Sequence, residues 1–170
     1  MTESRHGKTI VTPVEVGIGE AQVLVVSEIP LTPAARRIID IFKEVQITQC
    51  KVIDDKVIIN GILEKTILFL NMGPTAPIFG RGKNSDEESH MANRVAAGEV
   101  KAVFAELPFA LFIDVPGAQP GDECIIEVAE VVGEKDDQLK VQEDGSFKVL
   151  LEKAVVRVIA KVTRREQIPI

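Results

Sequence analysis

The sequence predicts a mainly β domain: an antiparallel β-sandwich or barrel-like body with one short helix and a long inserted loop. Three observations carry that prediction. Short β-rich runs recur along the 170 residues, separated by Pro, Gly, Asn and Asp clusters, as in antiparallel sandwiches and barrels. The run near the carboxyl end alternates cleanly, with Glu152, Ala154, Val156, Val158, Ala160 and Val162 on one face and Lys153, Val155, Arg157, Ile159 and Lys161 on the other. Between them, Pro108–Val115 and Glu123–Val132 read as two strands joined by a corner holding Pro116, Gly117, Pro120 and Gly121, residues that fix φ or permit it to be positive.

Taken in order, Lys8–Ile29 reads as two strands with a bulge or bend at Gly17 and Gly19. Thr32-Pro33 has the form of a helix N-cap followed by proline. Ala34, Ile38, Ile41 or Phe42, and Val45 then recur at helical spacing, which predicts an amphipathic helix over Pro33–Glu44 whose apolar stripe covers the sheet. Val45–Ile53 and Val57–Leu70 follow as strands around an Asp54-Asp55-Lys56 turn, the second apolar on both faces near Val57-Ile58-Ile59 and Ile67-Leu68-Phe69-Leu70, which predicts coverage on both sides. Asn71–Gly98, with its prolines, glycines and acidic cluster, reads as a long loop, a length that usually signals function or mobility. In Glu123–Val132, Cys124, Ile126, Val128 and Val132 are expected on one side. A hairpin is expected around Glu143-Asp144-Gly145-Ser146. The resulting organisation is extended amino-terminal strands over 1–30, open to exchange with a neighbour, a β body over 31–164 with the loop at 71–98, and a tail over 165–170.

Composition narrows the function. The chain is 45% hydrophobic and 27% charged, as in a globular protein with a real core. Its aromatic residues are all phenylalanine, with no Trp and no Tyr, which argues against stacking platforms for sugars or single-stranded nucleic acid. A net charge of −6 argues against a nucleic-acid partner. The amino terminus is polar, without the apolar core of a secretory signal, and the apolar runs are too short to span a bilayer. Synthesis in the cytoplasm without membrane insertion is the expectation, and it leaves open deposition on a cell or spore surface. Cys50 and Cys124 read as two buried, small apolar residues rather than as a disulfide or a metal pair.

No segment carries a catalytic constellation. Asp86, Glu87, Glu88 and His90 are the candidate metal ligands, and calcium would suit their hard oxygens. They lack the alternating carboxylates of a calcium loop and read as a solvated segment. Gly80-Arg81-Gly82-Lys83 lacks the full phosphate-loop pattern and reads as a contact loop. The serines have no nucleophile context, and Asp114 reads as a strand-end carboxylate that accepts from the turn backbone. No cofactor is expected.

Several segments together resemble the SPOCS domain family, known from morphogenetic proteins of the spore envelope in endospore-forming bacteria. The matching pieces are Lys51-Val52-Ile53, Lys56 through Lys65, Pro108-Phe109 running to Val115-Pro116-Gly117-Ala118, and the strand from Lys148 to Val162. The resemblance runs from about Val45 to Arg164. It implies protein–protein assembly and supplies no catalytic residues. Some members carry a cell-wall-binding LysM module after this domain; this sequence stops at Ile170 without one, which points to a stand-alone assembling protein. The expected partner is the chain itself, or another spore-envelope protein. The expected contact residues are Thr9, Val11, Val14 and Val16, Ile168 and Ile170 at the apolar ends, and Arg81 and Lys83 in the loop. Three functions follow: a self-associating structural protein, an adaptor using the long loop, and a small-ligand or carbohydrate-binding β domain.

Overall fold

The computed structural model describes residues 7–71 and 98–170. These form five antiparallel strands: β1 (Thr9–Ile53), β2 (Lys56–Asn71), β3 (Val100–Asp114), β4 (Glu123–Val141) and β5 (Phe147–Pro169). They make one sheet in the order β3-β2-β1-β5-β4. The mainly β, antiparallel prediction holds, and no helix occurs among the described residues.

The sheet is organised by β1, 45 residues long. Its first part, Thr9–Pro30, pairs with β5; its second part, from Ala35 or Arg37 to Ile53, pairs with β2. The changeover falls at Pro30–Ala35, where the pairing with β5 shifts register. Two prolines, Pro30 and Pro33, sit in this stretch, and each lacks the N–H that a ladder would use. The sheet therefore has two wings, β1–β5–β4 and β1–β2–β3, and both contribute to one core. Val57, Ile59, Leu63, Phe109 and Ile113 come from one wing; Ala154, Val156, Val158, Ala160 and Val162 come from the other. A second cluster around Ile29, Leu31, Ala35, Ile67, Phe69, Phe147 and Leu150 closes the end near the changeover. Each fully buried Val, Ile or Phe contributes roughly 1.5–3 kcal/mol by leaving water.

The helix expected over Pro33–Glu44 is instead part of β1. Register shifts lie between Ala35 and Arg37 and between Ile38 and Asp40. Each adds one residue to the strand, so the inward positions Ala35, Ile38 and Ile41 fall three apart rather than two. Two bulges thus imitate a helical period. The expected two strands at Lys8–Ile29 are one strand with a register shift between Glu15 and Gly17. A Cβ on Gly19 would meet the Asp114 carbonyl oxygen at 2.6 Å, so glycine lets β1 and β3 touch here.

The row predicted for β5 is confirmed: Glu152, Ala154, Val156, Val158, Ala160 and Val162 are all buried. The turn at Asp54-Asp55 is present, with Asp55 at φ 59°, as is the hairpin turn at Gln142–Ser146. In β4 the predicted face holds only for Cys124 and Ile126: register shifts lie between Ile126 and Val128 and between Val131 and Gly133, so Val128 stands opposite the outward Ile159 and Ala129 and Val131 take the inward places. Val132 is consequently exposed. The expected two-sided burial of β2 is partial: Val57, Ile59, Ile67 and Phe69 are buried, whereas Ile58 is exposed.

Candidate functional site

The predicted contact residues at the two ends come together. Thr9 pairs with Pro169, Ile10 with Ile168, Val11 with Gln167 and Val14 with Arg164, and the Ile170 N–H donates to the Lys8 carbonyl at 2.9 Å. The last β4 partner of β5 in this direction is Glu123, opposite Thr163. Residues 9–14 and 164–169 therefore form a two-stranded ribbon beyond the body. Ile10, Val11, Ile168 and Ile170 are exposed on it, and each of its strands has one unpaired edge. A two-stranded ribbon is marginal by itself, and an unpaired edge with apolar side chains is a template for another strand. Val16 differs from the rest, since it packs against the main core.

Elsewhere β1 and β3 face each other without pairing. Over Glu20–Val23, β1 pairs with β5 alone, and over Ala110–Asp114, β3 pairs with β2 alone. An open groove of about 490 Å³ lies between them, lined by Glu20–Val23 and by Ala110–Phe112 and Asp114. Its walls are two strand edges whose backbone groups on the groove side have no ladder partner. Lys56 ion-pairs with Asp114 and stands over the Phe112 ring, 5.2 Å from its centre.

The other seam, between β1 and β4, is closed covalently. Cys50 and Cys124 form a disulfide with their Cα atoms 6.2 Å apart, which corrects the expectation of two free, apolar cysteines. Their separation of 74 residues in sequence gave no sign that β1 and β4 would lie side by side. Lys43 of β1 and Glu134 of β4 add an ion pair of 2.8 Å across the same seam.

Behind that pair lies a buried charge network that the sequence reading missed. Lys65 of β2 and Glu152 of β5 are 1% and 0% exposed and pair with each other, joining the two wings inside the protein. Glu134 approaches Lys65 at 3.6 Å. The carboxylates of Glu134, Asp136 and Glu152 converge within 4.8 Å of one another, with the Lys65 ammonium bonded to one and close to another. One oxygen of Asp136 and one of Glu152 have no hydrogen-bond partner. Burial lowers the Lys65 pKa against the opposing pull of Glu134 and Asp136. Burial also raises Asp136, with Lys65 pulling it down and Glu134 pushing it up. For Glu134, burial would raise the pKa, but Lys43 and Lys65 outweigh it and hold the carboxyl below its usual value. The signal for the pair was present in the sequence. Lys65 has the inward parity of Leu63, Ile67 and Phe69, and Glu152 heads the apolar row of β5.

The Pro/Gly corner is held by two aspartates. Asp55 accepts from the Gly117 N–H at 2.8 Å, and Asp122 accepts from Gln119 at 2.9 Å. Arg164 donates to both oxygens of Asp122 at 2.8 Å, and this pairing is the chief reason the Asp122 pKa is lowered. Asp114, expected to serve the turn backbone, pairs instead with Lys56. The candidate metal ligands Asp86, Glu87, Glu88 and His90, and the contact residues Arg81 and Lys83, lie outside the described residues. No helix among the described residues is long and apolar enough to cross a membrane.

A family model described as "SipL, SPOCS domain" matches residues 34–132, more than half of the chain. No curated protein and no solved structure matches.

Proposed function

This chain belongs to the SPOCS domain family, and we propose that it is a non-catalytic structural protein that associates with copies of itself through β-strand contacts in a spore-envelope or cell-surface assembly. The observation that carries this reading is the ribbon of residues 9–14 and 164–169, with its unpaired edges and exposed Ile10, Val11, Ile168 and Ile170. Strand addition uses backbone hydrogen bonds for strength and alternate side chains for register. The groove between the unpaired edges of β1 and β3 is the acceptor. A ribbon that enters the groove of the next copy makes a heterologous contact, which propagates into a filament or tube unless the rotation closes it into a ring. The Cys50–Cys124 disulfide fits a protein that serves outside the reducing cytosol.

The test is a chain trimmed to residues 15–164, which retains Val16 and the Arg164–Asp122 pair. It keeps a cooperative melt and sediments as a small species at concentrations where the intact protein forms polymers. Equal polymers from both chains would remove the ribbon from the account. The adaptor reading keeps one specific support, the family tie itself, and predicts a soluble particle that captures a spore-envelope protein.

A further inference from the structure

Glu134 and Asp136 lie two residues apart on β4, and Asp136 stands directly opposite Glu152 of β5. Residues two apart share one face of a strand, so three carboxylates gather on one side of the β4–β5 pair, with oxygens within 4.8 Å of one another. Like charges directly opposite each other destabilise a sheet.

The neighbouring lysines do not balance this cluster. Lys43 bonds one oxygen of Glu134 at 2.8 Å. Lys65 bonds Oε2 of Glu152 and lies 3.6 Å from Glu134. Three carboxylates against two ammonium groups leave one negative charge over. It falls on Asp136, which has no hydrogen bond and no ion pair among the described residues. The Oδ1 of Asp136 and the Oε1 of Glu152 are both buried without a partner, and Glu152 is 0% exposed. Open acceptors on two opposed, buried carboxylates call for something between them. Lys65 does not supply it, because its ammonium takes the other oxygen of Glu152.

The chemistry of the three groups selects the occupant. Carboxylate oxygens are hard ligands, which suit calcium or magnesium rather than a transition metal. Calcium bonds of about 2.3–2.6 Å let one ion reach oxygens about 5 Å apart, whereas magnesium at about 2.0–2.1 Å reaches roughly 4 Å. Oxygens gathered within 4.8 Å on two paired strands fit the larger ion. Glu134, with its side chain 26% exposed, leaves a way in from solvent.

We propose that Glu134, Asp136 and Glu152 form a calcium site beside the β1–β4 seam, with Asp136 and the free oxygen of Glu152 as its inner ligands and with Glu134 and water completing it. The site uses none of the ligands expected from the sequence at 86–90. The ion ties β4 to β5 and, through the Glu134–Lys43 pair, to β1, further along the seam that the Cys50–Cys124 disulfide closes. The nearby Lys65 ammonium keeps the affinity low, with a dissociation constant of about 0.1–1 mM. This inference does not rest on the self-association proposed above.

The test melts the full, oxidised chain, stripped with a chelator, by far-UV circular dichroism with and without about 10 mM calcium chloride. Magnesium chloride at the same concentration controls for screening. Calcium raises the melting temperature by about 3–10 °C, and magnesium raises it less. Asp136→Asn removes a charge that faces Glu152, so the stripped variant melts no lower than the parent, yet its calcium shift is lost. Lys65→Met lowers the melting temperature of the stripped chain and enlarges its calcium shift, because the second oxygen of Glu152 is freed for the ion. A parent that responds to calcium no more than to magnesium overturns the site and assigns the open oxygens to a proton or a water. An equal calcium shift in Asp136→Asn places the ion elsewhere on the chain and overturns the site as well.

Discussion

Replacing Lys65 by methionine tests how the two wings are held together. The substitution conserves most of the side-chain volume and removes the charge. Glu152, fully buried and already with one oxygen unpartnered, then loses the ammonium that compensates it. In the intact protein two lysines, Lys43 and Lys65, face the carboxylates of Glu134, Asp136 and Glu152; in the variant Lys43 alone remains, and it bonds the outer Glu134. Removing one partner of a buried ion pair costs about 3–5 kcal/mol. That is a large share of a typical total of about 5–15 kcal/mol, and it corresponds to a melting temperature lower by roughly 6–20 °C for a chain of this size. Replacing both partners, Lys65→Met with Glu152→Leu, returns most of this loss, because apolar residues of similar volume often match a buried pair. Urea unfolding followed by far-UV circular dichroism is the assay, since the chain has no Trp or Tyr for fluorescence. A Lys65→Met variant within about 1 kcal/mol of the parent, or a double variant as unstable as the sum of the singles, would refute the reasoning.

Breaking the disulfide with Cys50→Ala and Cys124→Ala releases a loop closed over a separation of 74 residues, for which chain entropy gives about 4.5 kcal/mol; identical unfolding midpoints for the oxidised and the double-alanine chains would contradict it. Gly61→Ala places a Cβ 2.7 Å from the Gln46 carbonyl oxygen and against the Phe109 ring, and overpacking of this kind costs about 1–3 kcal/mol; a neutral substitution would show that β1 and β2 separate freely there. Acid destabilisation has a definite sign. Asp122 and Glu134 have folded pKa values below their unfolded ones, so their stabilisation is present above the unfolded value, about pH 4, and is lost as pH falls through the folded values. Asp136, raised by burial, works the other way, its penalty easing as pH falls below its folded value. Asp122→Asn therefore lowers stability at pH 7 and flattens the melting curve against pH below about 4, and curves parallel to the parent would count against the Arg164–Asp122 tie.

Legibility in the sequence followed the regularity of the strands. β5 was readable because the two shifts in its pairing with β4 add their extra residue to β4 and leave Ala154–Ala160 of β5 in unbroken alternation. The Asp54-Asp55 turn was readable because the pairing that flanks it, Gln49–Ile53 with Lys56–Asn60, is uninterrupted. β1 was not, because bulges at Ala35/Arg37 and Ile38/Asp40 convert a period of two into a period of three. Val132 failed for the same reason in β4. The contacts that fasten the wings depend on long-range neighbours. Cys50 meets Cys124, and Lys65 meets Glu152, only after β1 has been shared between two wings. The parity of Lys65 and Glu152 marked both as inward, but nothing in the spacing said that they face each other. The end residues Thr9, Val11, Ile168 and Ile170 were legible as apolar and extended; that they meet one another first is a property of the antiparallel pairing of β1 with β5.

Negative-stain electron microscopy of the intact, oxidised protein over a wide concentration range tests the central claim most directly. Regular filaments, tubes or rings that grow with concentration are the expected result. Uniform small particles at every concentration would contradict self-association.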